Sequence, residues 1–233
     1  MARSAILTLL LSLAAVVAYL GYRMILQSSE PQTNQAVTSI QTLGTLPEFS
    51  LADLSGGTRS IQSWPQNALV INFWATWCAP CLREIPLLKK FQEENADYPV
   101  QVIGIAIDNL EAVQNFAADM DFNYPILVGE SDAMNAAGAF GVEFFALPFT
   151  VFSDKNGRIL GVHTGEILPK DLQHLRDILS DLANGATDIA TARALLAMVF
   201  TASNSSRLTK SIPPKLSLAR SRAASRASRP MPA

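Results

Sequence analysis

The sequence predicts an α/β fold, with a central mixed β-sheet flanked by helices and preceded by an N-terminal β-hairpin. Three observations lead there. The stretches "ALVINFWA" (68–75), "PVQVIGIAID" (99–108) and "YPILVG" (124–129) are apolar runs of strand length, as expected for strands buried on both faces. Helical patterns lie between and after them. Finally, "FTVFSDKNGRILGVH" reads as two short strands joined at Asn156-Gly157, a strong hairpin signal.

In chain order, "PEFSLADLSGGTRSI" alternates around Ser55-Gly56-Gly57, predicting a hairpin of Phe49–Leu51 and Thr58–Ile61. "NLEAVQNFAADM" places Leu110, Val113, Phe116 and Ala117 at helical spacing, and "SDAMNAAGAF" opens with a cap signal. "LPKDLQHLRDILSDLANG" aligns Leu172, Leu175, Ile178, Leu179 and Leu182 on one face, with Gly185 as a stop. Such an order of strands and helices predicts a mixed sheet covered by helices.

The ends of the chain differ from its middle. Residues 1–185 hold 10 Lys and Arg against 19 Asp and Glu, whereas 186–233 hold 8 against 1, so the net charge of −2 conceals an acidic body and a basic tail. We divide the chain into a membrane anchor or signal segment (1–23), a linker (24–44), the folded domain (45–185) and a basic tail without a core (186–233). Within the tail, "IATARALLAMVF" has the pattern of a short amphipathic helix, and no motif there assigns nucleic acid as a partner. At the N-terminus, "AILTLLLSLAAVVAYLGY" (5–22) carries no charge. Its length approaches the roughly 20 residues that span a bilayer and exceeds a signal-peptide core, which favours a single transmembrane helix over a cleaved signal peptide. Either reading exports the domain.

The only two cysteines lie in "NFWATWCAPCLREIP" (72–86). A strand leads into Cys78 and a helix follows, with Pro80 acceptable in its first turn. A thiol at a helix N-terminus meets unpaired N–H groups and the positive end of the helix dipole, both of which favour the thiolate. Cys81 follows one turn deeper on the same side. The arrangement suits an attacking thiolate, Cys78, and a resolving thiol, Cys81. A structural bond between them would close too short a loop to stabilise much. Zinc needs four ligands, and only His163 and His174 are on offer. Two thiolates can hold Cu(I), so copper delivery stays open beside redox exchange.

These residues resemble the thioredoxin superfamily, and within it the membrane-anchored TlpA/ResA-like thiol:disulfide oxidoreductases of bacteria. The resemblance covers about Leu46 to Asn184 and rests on "NFWATWCAPCLREIP", "ALPFTVFSDKNGRI" and "GVHTGEI". It implies a thioredoxin-like fold and a redox-active disulfide, Cys78–Cys81, with no other cofactor and no metal. It implies that Pro148 is a cis-proline beside the pair and that Trp77, Ala79, Pro80, Leu147 and Pro148 form the substrate side. Glu84 matches an acidic residue that relays protons to the resolving thiol, and Pro86 a proline that kinks the helix. Asn72 replaces the buried acid of thioredoxin itself, and Leu147 replaces its threonine. Phe144 and Phe145 form an apolar lip or pack inside. The resemblance further implies reduction of exported proteins, as in cytochrome c maturation, by a domain on the periplasmic side of the bacterial inner membrane. A membrane electron donor would recharge it. A disulfide-forming oxidant is the runner-up, and a soluble periplasmic form would follow signal cleavage.

Overall fold

A computed structural model of the chain describes Tyr19, residues 44–141 and residues 146–211, with side chains through Ser203. Seven strands form one sheet: β1 (Ser50–Asp53), β2 (Thr58–Ser60), β3 (Ala68–Trp74), β4 (Val100–Ile107), β5 (Ile126–Gly129), β6 (Phe149–Ser153) and β7 (Ile159–Thr164). Their spatial order is β2-β1-β5-β4-β3-β6-β7. β3, β4 and β5 run parallel, and β1 and β6 join them antiparallel. The helices are α1 (Ala79–Glu94), α2 (Leu110–Met120), α3 (Ser131–Gly138), α4 (Pro169–Ala183) and α5 (Ile189–Ser211).

β3 organises the layers. All seven of its residues are buried, and alternate side chains point to opposite faces. Val70 and Trp74 join Ile85, Leu88, Leu175 and Phe152 on the face covered by α1 and α4, and Leu69, Ile71 and Phe73 join Ile103, Phe149 and Ala137 on the other. The same alternation sends the polar Asn72 towards α1. Gly104 of β4 makes room for Trp74, since a Cβ there would lie 3.0 Å from the indole nitrogen and 2.7 Å from Ile126 Cδ1.

The hairpins form where expected, with boundaries shifted by a residue or two. Asp53 Oδ1 accepts from the N–H groups of Ser55 (2.9 Å) and Gly57 (3.1 Å), and this local turn chemistry sets β1 and β2. Between β6 and β7, Asp154 Oδ1 accepts from Asn156 N and Arg158 N while Gly157 takes φ 73°.

The expected end of the folded domain at Gly185 is corrected. Asp188 caps α5 by accepting from Thr191 N at 2.8 Å, and Ala192, Leu196 and Phe200 bury one face of that helix against β7 and α4. Phe200 stacks on His163 (4.2 Å between ring centroids) and Phe152 (5.0 Å). The basic character of residues 186–233 averaged an apolar helix face with the charges that follow it. Residues 212–233, the apolar run at 5–22 apart from Tyr19, the linker through 43, and Phe144 and Phe145 lie outside the described residues. Among the described residues, no helix is long and apolar enough to cross a membrane.

Candidate active site

The site lies where β3 and β4 end, at the carboxyl edge of the parallel strands. After Trp74 the chain turns through Ala75 and Thr76. Asp108 holds this turn, with Oδ2 accepting from Thr76 Oγ1 (2.5 Å) and Thr76 N (3.3 Å), while Oδ1 accepts from Asn109 N. Cys78 N donates to Ala75 O, and Cys78 is the N-cap of α1. Its Sγ accepts from Cys81 N at 3.4 Å, so a helix-terminal N–H meets the sulfur as the sequence predicted. Cys78 and Cys81 are joined in a disulfide with a Cα–Cα distance of 5.3 Å. Cys78 retains 5% exposure and Cys81 none.

Facing the pair, the Leu147–Pro148 peptide is cis, as the resemblance implied. Trp77, Cys78, Ala79, Pro80, Ile107, Met134 and Leu147 line a shallow, mainly apolar cleft of about 380 Å³. Trp77 is 70% exposed, and Met134 is also exposed. Pro148 is buried next to Leu147, and its carbonyl accepts from Gly165 N at 2.8 Å.

Glu84 is fully buried. Its Oε1 accepts from Asn72 Nδ2 at 2.7 Å and its Oε2 from Ile167 N at 2.8 Å. Asn72 Nδ2 also donates to Thr150 Oγ1 at 3.0 Å. Burial disfavours an ionised carboxylate and the two donors favour it. The charge of Glu84 reaches Tyr124, whose phenol is pushed far above its ordinary value of 10.0, first by burial and then by Glu84. Pro86 lies inside α1, leaving the Leu82 carbonyl without its intrahelical donor.

The two histidines stay away from the cysteines: His163 stacks under Phe200, and His174 lies exposed on α4 with a ring nitrogen 2.7 Å from Lys170 O. Among the described residues, no group of three or more His, Cys, Asp or Glu is placed to hold a metal. Asp108, Ile107, Met134 and Thr150 were missed in the sequence. Asp108 had a usable signal in its position at the carboxyl end of a parallel strand beside the cysteine turn. The other three had none, because their relation to the cysteines depends on pairing across the sheet or packing.

A model of the Redoxin family matches residues 42–179. The chain belongs to the Redoxin family. Within it, this redoxin is 31% identical over 170 residues to the thioredoxin-like protein YneN of Bacillus subtilis, covering 71% of this chain and 94% of that one. It is 32% identical over 172 residues to the thiol-disulfide oxidoreductase ResA of Geobacillus thermodenitrificans, covering 73% and 91%. It is also similar to the solved structure of a secreted thiol-disulfide isomerase from Corynebacterium glutamicum, with TM-score 0.50, 28% identity and coverage of 55% and 80%. This redoxin is a ResA-like thiol-disulfide oxidoreductase with Cys78 and Cys81 as its CxxC pair. Its α5 helix begins beyond the matched residues.

Proposed function

We propose that this redoxin reduces disulfides in exported proteins, tethered by residues 5–22 on the periplasmic side of a bacterial inner membrane, in cytochrome c maturation or a related assembly. The observation that carries the chemistry is the Cys78–Cys81 disulfide at the α1 N-terminus, with the Leu147 wall on one side and buried Glu84 behind. The uncharged N-terminal run and the similarity to ResA support the tether and the direction.

In the reduced protein the Cys78 thiolate attacks one sulfur of a substrate disulfide. A bond forms between Cys78 and the substrate, the substrate S–S bond breaks, and the departing thiolate takes a proton from water. Cys81 then gives its proton to Glu84 and attacks Cys78 Sγ, restoring the Cys78–Cys81 bond and releasing the second substrate thiolate. Two electrons pass from the protein to the substrate. A membrane electron donor returns two electrons to the pair, and Glu84 gives its proton back to Cys81, so that Cys78 is again the thiolate. The helix N-terminus favours thiolate at Cys78, and the apolar cleft favours substrates with an apolar side chain beside the attacked cysteine.

An insulin reduction assay combined with a redox titration tests this. We expect the reduced protein to cleave insulin disulfides, with a potential towards the reducing end of the thioredoxin-like range of about −270 to −120 mV. No exchange with either an oxidised or a reduced partner would end the proposal. A strongly oxidising potential would reverse its direction.

A further inference from the structure

Gly165, Glu166 and Ile167 follow β7, and each has a partner that belongs to the site. Gly165 N–H donates to the carbonyl of Pro148 at 2.8 Å. Glu166 meets Arg83 through both carboxylate oxygens: Arg83 Nη2 lies 2.7 Å from Oε2, and Arg83 Nε lies 3.2 Å from each oxygen. Ile167 is fully buried, and its N–H donates to Glu84 Oε2 at 2.8 Å. One residue further, Leu168 N donates to Asp171 Oδ2, which fixes the segment to the start of α4. Gly165 has φ 106°, in the region that favours glycine, and this conformation turns the chain between its two sets of partners.

We propose that Gly165–Leu168 is a strap that sets the Leu147–Pro148 wall of the cleft against the first turns of α1, and that Arg83 and Glu166 are its positioning residues. Consecutive strap residues are committed to consecutive residues of α1, Glu166 to Arg83 and Ile167 to Glu84, while the residue before them holds the wall. A displacement of α1 relative to the strap therefore moves the Pro148 carbonyl as well. The Arg83 side chain is 59% exposed and that of Glu166 23%, and a pair reaching solvent on its cationic side adds little to global stability. Its two-point geometry instead restricts where the strap can lie. The wall matters most to a substrate large enough to lie across the cleft. A small disulfide needs only access to Cys78.

The strap's role in catalysis rests on the exchange reaction proposed above. The test compares full-length wild type, Arg83→Ala, Glu166→Ala and the charge exchange Arg83→Glu with Glu166→Arg. We expect each single variant to raise KM for insulin about fivefold at nearly constant kcat, and to leave the rate with a small aromatic disulfide unchanged. Hydrogen exchange at the Gly165 amide should speed up about tenfold in the single variants. The charge exchange should restore both values. Unchanged Gly165 exchange, or unchanged insulin KM, in both single variants would overturn the proposal. A wild type that fails to reduce insulin would sink the proposed function, and the strap would then be decided by Gly165 exchange alone, with unchanged exchange ending it.

Discussion

Asn72 of β3 donates to the carboxylate of Glu84 of α1 at 2.7 Å, in a contact from which water is excluded. Thioredoxin itself places an acid on this strand. In this chain the strand supplies the amide, Asn72, and the helix supplies the acid, Glu84, whose carboxyl group is buried against it.

Glu84→Gln tests that group. The amide keeps the shape but replaces one acceptor oxygen with a donor facing Asn72 Nδ2 or Ile167 N–H, which we expect to cost about 1–3 kcal/mol in urea denaturation. The pH profile of insulin reduction should change, together with the titration of the Cys81 thiol read by alkylation. A profile identical to wild type would show that Cys81 loses its proton elsewhere.

Cys78→Ser should abolish exchange. Cys81→Ser should leave the first attack intact and accumulate a mixed disulfide with the natural substrate, isolated from cells and identified by mass spectrometry. Failure of Cys81→Ser to trap any partner while Cys78 remains reactive to alkylation would count against the assigned roles.

Asp108→Ala removes the Oδ2 that accepts from both Thr76 Oγ1 and Thr76 N. A part-buried turn that loses a charge-assisted hydrogen bond should cost about 1–3 kcal/mol, and Cys78 of the reduced protein should alkylate at an altered rate because its turn is no longer held. Asp108→Asn should recover much of the stability, since its amide oxygen can still accept from Thr76.

Met134→Glu places a charge in the cleft that Met134 lines together with Trp77 and Leu147. We expect slower reduction of protein disulfides presented beside apolar residues, with the rate towards a small disulfide preserved and the Tm little changed at this exposed position. Equal rates for both substrates would show that protein substrates bypass this wall.

Phe200→Ala should destabilise the domain by about 3 kcal/mol, because it removes a buried ring stacked between Phe152 and His163. The docking of α5 should also depend on pH. The Asp188 carboxyl lies below its ordinary value of 3.8, chiefly because it accepts the Thr191 N–H. A depressed folded value gives stability that is present above about pH 3.8 and is lost as the pH falls through the folded value. Amide exchange in α5 should therefore rise in that acid range, and Asp188→Ala should remove the pH dependence.

The central architecture was legible because its signals are local. The period and length of the apolar runs mark β3, β4 and β5. Asn156-Gly157 marks the last hairpin, and the CxxC spacing with Pro80 places Cys78 at a helix start. Glu84 was singled out by the family resemblance, although its burial was not, because position along a helix does not say what covers that face.

The sequence by itself determined the strand and helix order, the redox pair and its polarity along α1, each of which follows from residue type and separation along the chain. The proline loop that faces the pair came from the family resemblance. Only the tertiary structure decided that Glu84 is buried and bonded to Asn72 and Ile167, that Gly165 holds the Pro148 carbonyl, that Met134 reaches the cleft, and that α5 belongs to the folded domain. These relations join segments far apart in the chain, and their energies come from excluding water and pairing buried polar groups, which exist only once the sheet has assembled.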